Sequence, residues 1–332
     1  MKLSSDGSVA PGKEGIGTDL PAVSVVIVNW NTVDLLRDCL RSIEEQTSVS
    51  HEIIVIDNAS SDGSVAMVRA EFLKVVLIAN KENRGFAAAN NQGLLAARGE
   101  VLLLLNPDTI ILQRAIEKML SWLKHRPDVG CVGCQVLEGP DIIQQTCFAD
   151  TTPLNLMFME FGLVSLMRWF PVFGNPRYTG WDRKSERNVD VVSGMFMLVP
   201  RPVMEKVGIL DEAFFIYEEE ADWCRRIRAA GYSCVFTPEA QIIHLDGGSK
   251  STSQIRSRMY IQLQKSHLIY VKKHHGHLGY VAVKLIYVGA SMLRLGRSSV
   301  KQLIGANAET KAQIRLALAA LRYHLTGKEP VL

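Results

Sequence analysis

Between Val23 and Lys124 one unit repeats: a short apolar run rich in β-branched residues, then a stretch whose apolar residues recur at three and four. Buried strands alternating with amphipathic helices are covered on both faces when the helices wind to either side of a mostly parallel sheet. The pattern predicts strands over 23–29, 52–57, 75–79, 101–105 and 130–137, with helices over 33–46, 63–72, 85–97 and 112–124. A doubly wound α/β fold is expected, taking ligands at the carboxyl edge of its strands.

A chain of 332 residues has room for one such domain and an appendage. Residues 1–20 are rich in Gly, Ser and Lys without apolar periodicity and are expected to form a disordered leader, which leaves 21–250 for the α/β domain. Inside it, 139–188 is broken by Pro140, Pro153, Pro171 and Pro176 and reads as an irregular insertion or lid. Its apolar stretch 154–173 carries Glu160 and Arg168, which favours a groove-lining helix over a membrane span. Regular structure returns over 189–199, in an acidic helix within 211–230, and in strands over 234–238 and 240–244.

Beyond residue 251 the alternation stops, so 251–332 is read as a separate helical segment. Between Tyr280 and Lys301, the polar residues Lys284, Ser291, Arg294, Ser298 and Lys301 form one stripe on an otherwise apolar helix. That pattern predicts a helix lying on a membrane surface with its polar stripe in water; Lys284 and Arg294 argue against a full span, and packing on the main domain is the alternative. A net charge of +3 is too small to call for nucleic acid. The six cysteines sit mostly in apolar contexts, with no secretory signal before them, which points to reduced thiols in the cytoplasm. Cys131-Val-Gly-Cys134 lacks the second pair that a structural zinc site needs.

Polar clusters fall where predicted strands end. Asn29-Trp30-Asn31 closes the first strand; Asp57 and Asn58 close the second, and a carboxylate with side-chain amides there can read a base and a ribose, or simply cap the next helix. Asn83-Arg84-Gly85-Phe86 opens a helix with small residues that allow close approach, and Asn90 follows one turn later. Asn106-Pro107-Asp108 ends the buried run 101–105, offering a carboxylate for Mg²⁺ or Mn²⁺ on a diphosphate. In the second half, Glu219, Glu220 and Asp222 crowd the start of a helix and should raise one another's pKa, which suits a general base. His244 ends a later strand before Gly247-Gly248-Ser249 and can complete a metal site as a neutral imidazole.

Taken together, Val23-Ser-Val-Val-Ile-Val-Asn-Trp-Asn31, Ile56-Asp57-Asn-Ala-Ser60, Asn83-Arg-Gly-Phe-Ala-Ala-Ala-Asn-Asn91, Leu105-Asn-Pro-Asp-Thr109, Val192-Ser193-Gly194-Met-Phe196 and the acidic helix with His244 form an ordered series that resembles the family 2 glycosyltransferases, in their rhamnosyltransferase-like branch. The resemblance runs from about Val23 to Ser249. It implies a GT-A fold, an inverting mechanism, a nucleoside-diphosphate sugar donor and a divalent cation. It places Asp57 near the nucleotide base, Asn106 and Asp108 at the family's Asp-x-Asp metal motif with His244 beside them, and Ser193 and Gly194 in the donor site. The family's Glu-Asp-x-Asp base motif reads Glu219-Glu220-Ala221-Asp222 here, so the base position carries Glu220, with Glu219 and Asp222 behind it. The acceptor implied is a glycan or a polyprenyl-linked sugar met at the inner face of the cell membrane, with 139–188 on the acceptor side. A nucleotidyltransferase shares the sheet and metal carboxylate but needs a Gly-rich basic phosphate loop after the first strand, where Asn29-Trp30-Asn31 stands. A catalytically dead sugar-binding scaffold would have no use for the acid cluster.

Overall fold

The opening strand β1 (Val23–Asn29) is buried along its whole length, and its side chains divide by parity. Val23, Val25 and Ile27 face α1 (Val33–Gln46), whose Leu36, Cys39, Leu40 and Ile43 repeat at helical spacing. Val26 and Val28 share the opposite core with Ala87, Ala89 and Leu94 of α3 (Phe86–Ala96). One strand thus separates two cores, as the repeat requires. This computed structural model describes residues 20–139, 142–164, 176–245, 256–305 and 308–328, leaving aside the side chains of 256, 257 and 304. The expected leader over 1–19, Gly247-Gly248-Ser249, the boundary near 250, Pro140, Pro171 and the 165–173 part of the apolar stretch lie outside the described residues.

Strand β2 (His51–Asp57), α2 (Ser64–Glu71), β3 (Val76–Ala79) and β4 (Val101–Leu105) complete the parallel half in the order β3-β2-β1-β4. The rest of the sheet is mixed, and each reversal serves the carboxyl edge. After α4 (Ala115–Leu123) and β6 (Val129–Gly139), the chain passes β7 (Ile142–Ile143), β8 (Cys147–Phe148), α5 (Pro153–Glu160), β9 (Arg187–Asn188) and β10 (Val191–Val192). It then re-enters the sheet from the ligand edge, so β11 (Phe196–Pro200) runs antiparallel to β4, pairing Phe196 with Leu105. That direction brings Ser193 and Gly194 to the mouth of β4, where Asn106 N–H donates to Met195 O at 3.1 Å.

A strand that the sequence pattern did not predict, β5 (Thr109–Ile111), precedes α4; three residues are too few to show a period of two. Past α6 (Arg201–Val207) and α7 (Glu219–Ala229), the two strands expected near 234–244 form one, β12 (Ser233–His244), with Pro238 absorbed by a register shift between Phe236 and Gln241. Antiparallel pairing of β12 with β5 sets His244 opposite Thr109, and Leu245 N–H donates to Asp108 O at 2.8 Å. All six cysteines are free and buried; burial pushes the Cys39 thiol up to about 12, so it packs as a neutral thiol.

The C-terminal segment is helical: α8 (Arg256–Gly305) leaves helical geometry at Gly276 and doubles back there as a hairpin, bringing Tyr287 to His267 and Arg294 to Tyr260, and α9 (Ala308–Thr326) follows. The hairpin packs against α5, and the polar stripe expected to face water is largely turned inward. Ser291 and Ser298 are 1% and 3% exposed, and Arg294 bonds Glu160 at 2.6 Å and the Tyr260 hydroxyl. Lys284 is half-buried and Lys301 is exposed. The outward positions are Leu278, Val281, Leu285, Met292, Val300 and Leu303, with Leu278 and Leu303 86% and 89% exposed. An arginine needs its carboxylate more than it needs solvent once Glu160 is within reach, and that pairing fixes the helix's rotation.

Candidate active site

A cleft of about 980 Å³ opens at the carboxyl edge, between the β4–β5 turn, the residues before β11, the start of α7 and the first turns of α8. Eleven of the expected residues line it. Asn58, Asn83, Gly85 and Phe86 form one wall; Asn106, Asp108 and His244 form the floor with Ser193 and Gly194; Glu219 and Glu220 line the same cleft.

Asn58 organises the first wall. Its Nδ2 donates to Asn83 Oδ1 at 2.9 Å and Gly85 O at 3.2 Å, while its Oδ1 accepts from Arg84 N–H at 3.0 Å. Gly85 has φ +84° and ψ 170°, a region in effect reserved for glycine, and a Cβ there would lie 2.5 Å from Phe215 O. This close approach lets Phe86 N–H donate to Phe215 O at 2.6 Å, tying the wall to the segment that leads into the acidic helix.

Four expected donor-site residues are outside the lining. Asn29 Nδ2 donates to Asp57 Oδ1 at 2.9 Å, and the other Asp57 oxygen accepts from Ser60 N–H at 2.9 Å, so both residues are spent on holding the β1 and β2 ends together. Asn31, at φ 56°, accepts from Ser61 N–H, and Asn90 donates to Phe86 O one turn back in its own helix. In their place the wall gains Trp30 and Thr32, next to the residues the sequence singled out. Asp222 also leaves the cleft. It is 0% exposed, and its oxygens take Arg226 at 2.8 Å, Lys273 at 2.7 Å and His274 at 2.7 Å; against the effect of burial, the hydrogen bonds from Lys273, Arg226 and His274 and the charge of Arg226 hold its carboxyl below the usual range. A carboxylate held so is a poor base.

On the floor, Asp108 Oδ1 is buried without a hydrogen-bond partner among the described residues, and His244 Nε2 stands 3.0 Å from Asp108 Oδ2 without hydrogen-bond alignment. His244 Nδ1 lies 3.0 Å from Gln144 Oε1, which can only accept, so in the neutral ring the proton belongs on Nδ1 and Nε2 presents a lone pair. Cis ligands about 2.1 Å from an octahedral ion are about 3.0 Å apart, so the pair fits Mg²⁺ or Mn²⁺. Gln144 escaped sequence analysis because its role depends on a fold-back, Gln144 N–H donating to Val136 O, that no local motif announces.

In the same cleft, Glu219 is buried and Glu220 half-buried, and each has an Oε2 without a hydrogen-bond partner among the described residues. Burial, then the neighbouring Glu220, pushes the Glu219 carboxyl well above the usual range; burial pushes Glu220 up to about 7. A carboxyl that ionises near neutrality while facing a ligand cleft has the properties of a general base. The remaining wall, Ile261, Gln262 and Lys265 of α8, comes from the segment the sequence marked as separate.

Residues 24–146 match the family described as Glycosyl transferase family 2. Among curated relatives, the O-antigen biosynthesis protein RfbC of Myxococcus xanthus is 25% identical over 72% of this chain and 18% of its own. The N-acetylglucosaminyl-diphospho-decaprenol L-rhamnosyltransferase of Mycobacterium tuberculosis is 25% identical over 66% of this chain and 75% of its own. The chain spans a quarter or less of the length of the first curated relatives it matches. In three dimensions it resembles the mannosyltransferase PcManGT of Pyrobaculum calidifontis, solved with GDP-Man and Mn²⁺, at 18% identity and a TM-score of 0.54, covering 94% of this chain and 89% of that one. The mixed sheet with its cleft at the carboxyl edge and these likenesses agree: the chain has the GT-A fold, and its residues 24–146 match the family 2 glycosyltransferases.

Proposed function

We propose that the protein is an inverting glycosyltransferase that moves a sugar, rhamnose in our reading, from a nucleoside-diphosphate donor to a hydroxyl of a glycan or polyprenyl-linked acceptor. One observation carries the reading: the Asp108–His244 pair, with donor atoms left open, faces the same cleft as the high-pKa carboxyl of Glu220. A metal site for the leaving diphosphate and a base for the incoming hydroxyl are the two parts that a single displacement with inversion requires.

Asp108 and His244 would hold the divalent cation, which when bound neutralises charge on the departing diphosphate. Asn58, Asn83, Phe86 and Trp30 give the nucleoside amides to pair with and aromatic faces to pack on, while Asn106, Ser193 and Gly194 line the same cleft and offer further polar groups to the donor. Glu220 takes the proton from the acceptor hydroxyl as that oxygen attacks the anomeric carbon opposite the leaving group; Glu219, buried beside it, is the second choice. The rhamnosyl choice is supported by the relative from Mycobacterium tuberculosis.

The outer face of α8 supports a membrane surface as the place of work, at the inner leaflet where nucleotide sugars are made. Arg258–Leu303 is long and apolar enough by length and composition to cross a bilayer, but its break at Gly276 and the contact of Arg294 with Glu160 favour lying on the surface with Leu278, Leu285, Met292 and Leu303 toward lipid. The direct test is nucleoside diphosphate release from dTDP-, UDP- and GDP-sugars with Mg²⁺ or Mn²⁺ and a polyprenyl-linked acceptor. A preferred donor whose turnover is lost in Asp108→Ala and Glu220→Gln supports the reading; wild type inert with every donor and binding none refutes it.

A further inference from the structure

The turn that delivers the acidic pair to the cleft is strained. Tyr217 has φ 71° and Glu218 φ 70°, two consecutive non-glycine residues in the left-handed region, immediately before Glu219 and Glu220. Such conformations persist when surrounding structure over-determines them. What surrounds this turn is α8. Ser266 Oγ donates to Ile216 O at 2.8 Å, on the near side of the strained pair. His267 Nε2 stands 3.3 Å from Glu218 Oε1, on the strained residue itself. Two turns further along α8, Lys273 and His274 each reach Asp222 Oδ1 at 2.7 Å, inside α7.

We infer that Ser266 and His267 are positioning residues for the reaction: they clamp the strained turn 216–218 and so fix where Glu219 and Glu220 point. The inference rests on the transferase reading above. His267 is built for the task. It is 7% exposed, its ring stacks on Tyr287, and its Nδ1 lies 2.5 Å from the Tyr287 hydroxyl, which leaves Nε2 aimed at Glu218. Tyr287 is itself fully buried and stacks on His324 of α9, so the clamp is braced by the far arm of the hairpin and by α9. Ser266, fully buried, spends its hydroxyl proton on the loop carbonyl. The helical segment that the sequence sets apart thereby becomes part of the catalytic apparatus without touching the reacting atoms.

The full chain tests this with His267→Ala, Ser266→Ala and His267→Gln, whose amide can occupy the place of Nε2. In His267→Ala we expect kcat at least tenfold lower, a donor KM within twofold of wild type, and faster amide hydrogen exchange confined to 215–222. Ser266→Ala should move both in the same direction, and His267→Gln should recover most of kcat and protection. A wild-type kcat in His267→Ala overturns the clamp, as does a loss that Gln fails to rescue and that comes with melting of the whole chain. If wild type turns over no donor, the transferase reading has failed by itself; exchange at 215–222 then decides the clamp, faster in His267→Ala supporting it and unchanged overturning it.

Discussion

Replacing Gly85 with alanine probes how the donor-side wall and the base segment are joined. At φ +84° and ψ 170° an L side chain costs about 1–3 kcal/mol in backbone strain alone. The new Cβ would also lie 2.5 Å from Phe215 O and 2.7 Å from Phe215 Cδ2. The ring is exposed and can turn aside, but the carbonyl is main chain and must move, adding about 1–3 kcal/mol. Gly63→Ala is the matched control: it has φ +90° and ψ 4°, but nothing within 4 Å of its Cβ, so it loses about 1–2 kcal/mol from backbone conformation only. Urea unfolding of the two variants should separate them by about 1–3 kcal/mol, with Gly85→Ala the weaker. Only Gly85→Ala should lose turnover, by tenfold or more, because moving Phe215 drags the turn that carries Glu219 and Glu220, and about 1 Å of misplacement can cost about a hundredfold. Equal stability of the two variants, with wild-type turnover in Gly85→Ala, would refute the reasoning.

Because burial pushes Glu220 up to about 7, its ionised fraction rises from about a tenth at pH 6 to about nine tenths at pH 8, and kcat should climb about tenfold across that range. Stability runs the other way: the folded state holds this proton more tightly than the unfolded chain, so wild type loses stability as pH rises from the ordinary 4.5 through about 7, and Glu220→Gln flattens that slope; pH-dependent unfolding checks it. Gln144→Leu removes the acceptor that keeps the His244 proton on Nδ1, and Mn²⁺ affinity measured by titration should fall about 10- to 100-fold with the fold intact. Leu285→Asp with Met292→Asp, on the outer face of α8, should abolish sedimentation with anionic vesicles while leaving the unfolding transition in place; sedimentation equal to wild type counts against the surface reading.

Much of the fold was legible because its signals are local. The strands at 23–29 and 101–105 and the helix at 33–46 follow directly from apolar runs and helical spacing, each determined within a dozen residues. The motifs at strand ends were legible for the same reason: a strand's carboxyl end in an α/β sheet faces ligands whatever else the chain does. β5 was not legible, since three residues carry no period, and the direction of β11 was not, since it depends on where the chain re-enters after a long excursion. Among site residues, Asp57 and Asn29 show what motif reading leaves out: their types suit a nucleoside, and only the pairing of two strands brings them within hydrogen-bond reach of each other.

The sequence by itself determined the alternating architecture, the edge on which the chemistry is built, and the presence of Asp108, Glu219, Glu220 and His244. Only the tertiary structure decided which of them face one another. Register between β5 and β12 set His244 against Asp108; the side chains of Arg226, Lys273 and His274 withdrew Asp222 from the cleft; and the Arg294–Glu160 pair turned the polar stripe of α8 inward and its leucines outward. The physical reason is common to all three. Periodicity and chain punctuation are properties of neighbours in sequence, whereas ion pairs and contacts such as Asp108–His244 join residues up to 136 positions apart, in orientations that exist only once the sheet has closed and burial has made each unpaired charge costly.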